Sequence, residues 1–159
     1  MTARVPLVLL SVVVAGALAA CGGSGNKTTT GTSTTMSPAA EQAAIKSAYQ
    51  RFFSSKTATS VRIGLLQNGS QFEAAITALA KNPLASDTSA TVSSVTLQGA
   101  DKAKVVYTVN LAGAAIPGLK NRKGTAVREN GTWKVGAADF CALVSLGGSP
   151  PKPCKNLGG

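Results

Sequence analysis

The stretch KAKVVYTVNL, Lys102 to Leu111, decides the fold class of this chain. Ala103, Val105, Tyr107, Val109 and Leu111 alternate with mostly polar residues, the period of two expected of a strand with one buried face. Upstream, Gly99-Ala100-Asp101 reads as a turn from an earlier strand, Thr91 to Leu97, rich in Val, Thr and Ser. Downstream, Ala112 to Leu119 reads as a longer connection containing Gly113, Pro117 and Gly118. A third strand runs from about Arg122 to Glu129. Asn130-Gly131 follows, a strong hairpin signal because both residues of the tight turn must accept positive φ. The fourth strand, Thr132 to Ala137, carries Trp133 and Val135 on one face, and Asp139 to Leu146 forms a last turn or short helix anchored by Cys141.

The residues before this meander read as helices. Ser37-Pro38 supplies an N-cap and a first helical residue, and Glu41 falls in the first turn, where the helix dipole favours a negative charge. Ile45, Ala48, Tyr49, Phe52 and Phe53 recur at spacings of three and four, one apolar stripe that Ser54-Ser55-Lys56 ends. A short second helix covers Thr59 to Leu66, stopped by Asn68-Gly69. Ser70 and Glu73 match a capping box for a third helix, with Phe72, Ala75, Ile76, Leu79 and Ala80 on one face and Asn82-Pro83 at its end. Helices first and a meander of about four strands second give an α+β domain: about three N-terminal helices packed on one face of a curved antiparallel sheet.

The N-terminus reads as an address. Arg4 precedes an apolar stretch, Val5 to Ala20, shorter than the ~20 residues a bilayer span needs. A basic start, an apolar centre and a small-residue exit are the three parts of a secretory signal. The exit, Leu18-Ala19-Ala20-Cys21, resembles the bacterial lipobox. That resemblance implies acylation of the Cys21 thiol, cleavage in front of it, and a lipid anchor on the outer face of the cytoplasmic membrane. The following GGSGNKTTTGTSTTMS, Gly22 to Ser37, contains too little apolar surface to offset its ordering entropy. As a flexible coil it spans roughly 20–24 Å, a tether for a small domain. The expected organisation is a signal over 1–20, acylated cysteine and tether over 21–37, the α+β domain over 38–146, and a Gly/Pro-rich tail over 147–159.

The chain has three cysteines. With Cys21 acylated, Cys141 and Cys154 are left as a pair, and outside the cytoplasm two thiols in one small domain usually oxidise. A metal site is the competing reading, but two cysteines without a histidine make a poor zinc set; a nucleophilic cysteine is the other. The disulfide is the reading adopted, and it ties the tail to the domain. Aromatics make up only 4% of the chain and the helices are heavy in alanine, so either the core is thin or the domain encloses space. Lys plus Arg outnumber Asp plus Glu by 16 to 6. Outside the cell this balance points to anionic lipid or polymer, and without aromatics interleaved among the charges no nucleic acid is expected as a partner.

Four segments carry a family resemblance: VSSVTLQGA (Val92 to Ala100), KVVYTVNL (Lys104 to Leu111), NGTWKV (Asn130 to Val135), and Phe140-Cys141-Ala142-Leu143. With the helix before Asn82-Pro83, they make the chain similar, over roughly Ile45 to Leu146, to the small exported mycobacterial low-molecular-weight T-cell antigens. The layout also resembles the cone-shaped fold of nuclear transport factor two. The resemblance implies a cone-like exported domain without a defined biochemical role. The lipobox and the cysteine pair depart from the namesake antigen and change the expected address from secreted to anchored.

Chemistry is scarce. The chain has no histidine, which removes the usual general base and both Ser-His and Cys-His activation. Each of the six carboxylates has a structural explanation. Glu41 and Glu73 sit at helix starts, Asp87 and Asp101 in turns, and Glu129 beside the hairpin. Asp139, beside Phe140 near the mouth of the cone, is expected to act as a helix N-cap. No catalytic residue, metal ligand or cofactor is assigned, and the chain is expected not to be an enzyme. The remaining feature is a basic cluster, Lys120, Arg122, Lys123 and Arg128, which Lys102 and Lys104 could extend, read as a surface for anionic headgroups or cell-wall polymer. The expected role is a membrane-anchored module that binds a small hydrophobic or amphipathic ligand, with docking to an envelope protein or polymer as the alternative.

Overall fold

The computed structural model describes residues 36–157 apart from 149. The expected signal, Cys21 and the expected tether up to residue 35 lie outside the described residues. The unit Thr35–Gly159 is compact and holds the hydrophobic core found among the described residues, which is what a domain needs to fold by itself. Helices α1 (Pro38–Phe53), α2 (Thr59–Leu65) and α3 (Glu73–Ala80) precede strands β1 (Thr88–Leu97), β2 (Lys102–Leu111), β3 (Ala114–Ala115), β4 (Arg122–Glu129) and β5 (Thr132–Val135). Helix α4 (Ala137–Val144) and short 3-10 turns complete the chain. All strand pairs are antiparallel, in the order β1-β2-β4-β5, with β3 paired to β2. The sheet curls into a half-barrel around the helices, so the domain is α+β and cone-like.

Helix α1 forms as its sequence dictates. The Ser37 hydroxyl accepts from the Ala40 N–H at 3.3 Å, and Pro38 opens the helix. Ile45, Ala48, Tyr49 and Phe52 bury one face against the sheet. Each large side chain so buried contributes about 1.5–3 kcal/mol. The sheet answers with Ala103, Val105, Tyr107 and Val109 from β2, Ala126 from β4, and Trp133 and Val135 from β5, all buried. In β1 the register shifts between Val92 and Ser94. The extra residue, Ser93, lets both Val92 and Val95 turn inward although an unbroken strand would put them on opposite faces.

Three local expectations need correction. Ser70 and Glu73 make no capping box: residues Gly69–Phe72 form a 3-10 turn, and α3 starts at Glu73 without a side-chain cap. Ser70 lies inside that turn and Phe72 takes the N-cap position, so the Ser70 hydroxyl is not placed to cap α3. The tight turn requires Gly69, where a Cβ would lie 1.8 Å from the Ile63 carbonyl oxygen. The connection after β2 contains the two-residue strand β3, and the last strand stops at Val135 so that Gly136 can cap α4. The hairpin holds as read, with Asn130 at φ 53° and Gly131 at φ 76°.

Candidate functional site

All seven aromatic residues enter the core or its edge. They form a chain: Tyr107 stacks on Phe53 at 5.3 Å, Phe53 meets Phe52 edge-on at 5.1 Å, and Phe140 bridges Phe52 and Phe72 at 6.1 and 5.4 Å. Offset and edge-to-face pairs of this kind add about 0.5–1.5 kcal/mol each beyond the area they bury. Phe52, Phe53 and Phe140 are also the floor of a cavity of about 600 Å³. Its α3 wall is Ala75, Ile76, Ala78 and Leu79, and its α4 wall is Leu143 and Val144. The space exists because Ala75, Ala78, Ala85 and Gly147 stand where larger side chains would fill it. The alanine-rich, aromatic-poor composition leaves this space unfilled and open to solvent.

A second lobe of about 560 Å³ shares Phe53, Thr88, Val109 and Leu143 with the first and adds Ile116, Leu119 and Leu146. Both lobes fall in the ~300–1,000 Å³ range of small-molecule sites. Their walls are mainly apolar. Leu79 and Leu146 remain 40% and 64% exposed, so the rim is apolar too. The polar side chains on the walls are few: Arg62, Asn82 and Thr88 in the first lobe, Thr88 and Arg122 in the second. Sequence reasoning named none of Arg62, Asn82 and Thr88 as site residues. A cation flanked by Val61 and Ile63 in the short helix TSVRIGL is the signal that the sequence offers for Arg62.

The disulfide between Cys141 and Cys154 is present, with the Cα atoms 5.4 Å apart. It pins the 3-10 turn Lys152–Asn156 against α4, and Pro151 just before that turn lines the first lobe.

Asp139 is not the N-cap of α4; Gly136 is. Asp139 sits in the first turn, where its Oδ2 accepts from the Tyr49 hydroxyl at 2.8 Å and from the Thr125 N–H at 2.6 Å. It thus joins α4, α1 and β4 at one atom, and it lines neither lobe. Burial raises its pKa above the ordinary carboxylate value, against the opposing pull of the Thr125 N–H, the Tyr49 hydroxyl and the Arg122 charge. Burial and the Asp139 charge together keep the Tyr49 hydroxyl protonated far above the tyrosine range, and Tyr107 is pushed up to about 12 by the same two causes. Gly124 makes room for this junction.

The basic cluster is not one surface. Strand β4 alternates, so Arg122 and Arg128 face the helices while Lys123 faces outward. Arg128 pairs with the buried Glu41 of α1 and lies 4.9 Å over the Trp133 ring. It is a packing residue, and Glu41 is held by that pair as well as by the helix dipole. Arg122 turns toward Tyr107 and the second lobe. Lys120 is exposed in the connection before β4, and Lys123 shares the outer face with Lys102 and Lys104. The four residues grouped in the sequence therefore lie in different settings. Among the described residues, no three of the His, Cys, Asp and Glu side chains come together as a metal site.

An α+β half-barrel with helices over its concave face and an apolar cavity beside them defines the class: a cone-like α+β domain. The family follows from sequence comparison. The family model described as low molecular weight antigen MTB12, C-terminal domain, matches residues 38–151, and the chain belongs to that family. Cys141 lies inside the match and Cys154 beyond it, so the disulfide joins the family domain to the C-terminal segment. No curated protein matches the chain. Membership in an antigen family fits a cell-envelope or secreted location, and no helix among the described residues is long and apolar enough to cross a membrane.

Proposed function

We propose that this protein is a non-catalytic lipoprotein of the cell envelope whose cone-like domain holds a small hydrophobic or amphipathic ligand. The observation that carries the reading is the apolar cavity between α3, α4 and the sheet, with Leu79 and Leu146 exposed at its rim. Exposed leucines beside an unfilled apolar space cost solvation free energy unless something covers them. The absence of histidine from the chain supports binding over catalysis. Acylation at Cys21, on the outer face of the cytoplasmic membrane, would place the cavity beside a source of lipid. Replacing Cys21 by Ala releases the protein from membranes; unchanged partitioning overturns the anchor.

The test of the cavity is saturable binding of an environment-sensitive apolar dye to the domain. Ala78 is exposed on α3 and lines the first lobe, so Ala78→Trp obstructs the cavity without loading the core. One-to-one dye binding that Ala78→Trp abolishes supports the reading. Binding unaffected by Ala78→Trp, or no binding at all, refutes it.

A second reading rests on the outer face of the sheet. Lys102, Lys104 and Lys123 lie there without an acidic partner within 4.0 Å among the described residues, whereas Lys134 is paired with Glu129. That face suits an anionic polymer or an acidic envelope protein. Loss of envelope retention on replacing the three lysines by Gln, in a variant lacking the anchor, would favour docking.

A further inference from the structure

The walls of the first lobe are apolar except at a few points, and one of those points is a cation. Arg62 of α2 is half-buried there. Its Nε donates to the Thr57 carbonyl at 3.1 Å and its Nη2 to the Ser55 carbonyl at 3.4 Å. Both acceptors are neutral backbone oxygens, and they fix the plane of the guanidinium. Among the described residues no carboxylate approaches Arg62 within ion-pair distance; the two ion pairs present are Arg128–Glu41 and Lys134–Glu129. A guanidinium carries five N–H donors in a rigid fork suited to carboxylate or phosphate. Two anchoring bonds leave donors to spare. A partly desolvated cation without a counter-ion is unfavourable by itself and becomes favourable when an oxyanion meets it.

We infer that the ligand of this cavity is an amphipathic anion: an oxyanion head, carboxylate or phosphate, held by Arg62, with a single apolar tail along Ile76, Leu79, Phe140 and Leu143. The inference rests on the cavity reading above and gives it a ligand class. Arg62 has two features that a surface arginine lacks, a fixed orientation and a position on an apolar wall. Arg122 is a weaker choice for the head, because it lines the second lobe and its charge is already opposed by Asp139.

The experiment compares probes with one tail and different heads. The isolated domain Thr35–Gly159, oxidised, is titrated calorimetrically with decanoate, decyl phosphate and decanol at fixed ionic strength. The expected result is single-site binding of both anions, at least about tenfold tighter than decanol, a 1.4 kcal/mol preference. Arg62→Gln abolishes the preference and Arg62→Lys retains part of it, with circular dichroism confirming the fold of each variant. Whichever anion binds more tightly tells a fatty-acid source from a phospholipid source, and both satisfy the inference. Decanol binding as tightly as the anions overturns the head-group assignment while the cavity reading stands. Binding by none of the three refutes the cavity reading itself. Because the wild-type comparison needs no variant, misfolding of Arg62→Gln would not rescue a failed prediction.

Discussion

Replacing Gly124 by Ala tests the junction that joins α1, β4 and α4. A glycine inside a strand ordinarily weakens it, and alanine there is expected to stabilise by about 0.5–1 kcal/mol. The surroundings of Gly124 reverse that sign. A Cβ would stand 2.6 Å from Asp139 Oδ2, 2.8 Å from the Tyr49 hydroxyl oxygen and 2.9 Å from Tyr107 Cε1. All three distances lie below what real Cβ atoms tolerate, and Tyr49 and Tyr107, at 0% and 1% exposure, have nowhere to go. Overpacking of this kind costs about 1–3 kcal/mol. Displacing Asp139 also breaks a charge-assisted hydrogen bond, a further ~1.5–3 kcal/mol. Less the backbone gain of about 0.5–1 kcal/mol, the expected destabilisation is about 2–5 kcal/mol. With a urea m-value of about 1.5 kcal/mol/M, the unfolding midpoint falls by about 1–3 M. The single tryptophan, Trp133, is buried in the core and reports the transition by fluorescence. In a Tyr49→Phe background the 2.8 Å contact disappears, so the two substitutions should couple favourably by about 1 kcal/mol. A Gly124→Ala protein as stable as wild type, or more so, would refute the reasoning.

Four other outcomes follow from the same geometry. The raised pKa of Asp139 means that the folded protein keeps this proton to higher pH than the unfolded chain, so its contribution to stability declines as pH rises above 3.8; Asp139→Asn, measured by urea unfolding from pH 4 to 7, should lose less stability than wild type over that range, and parallel curves would contradict this. Glu129, lowered by its hydrogen bond to Lys134, works with the opposite sign and loses its contribution as pH falls below 4.5. Arg128→Ala strands the buried Glu41 carboxylate and removes the contact with Trp133, costing about 2–3 kcal/mol in chemical denaturation, whereas Lys123→Ala stays within about 0.5 kcal/mol; equal effects would restore the single basic surface. Replacing Cys141 and Cys154 together by Ser opens a loop of sequence separation 13 and lowers stability by about 3 kcal/mol in the same assay.

The elements most legible in the sequence were those whose own side chains encode them. The β2 alternation, the α1 stripe with its Ser37-Pro38 entry, and the Asn130-Gly131 turn each carry a local period or a backbone requirement, and β2, β4 and α1 have the bounds read from them. What escaped depended on distant partners. Asp139 reads as a cap until Tyr49, 90 positions away, is brought to its carboxylate. Arg128 reads as a surface charge until α1 lays Glu41 beside it. The alternation of β4 did contain a warning, since Arg122 and Arg128 share parity with the buried Gly124 and Ala126 while Lys123 does not. The cavity itself was anticipated only as a deficit of bulk, and its cation, Arg62, was passed over because α2 is too short to show a polar face of its own.

The most direct test of the central claim, that the cone carries an amphipathic ligand, is native mass spectrometry of the protein purified from its own envelope, before and after solvent extraction. The expected result is a reproducible non-covalent mass on the domain that extraction removes, with an anionic head in its fragmentation spectrum. The same bare mass before and after extraction would contradict it.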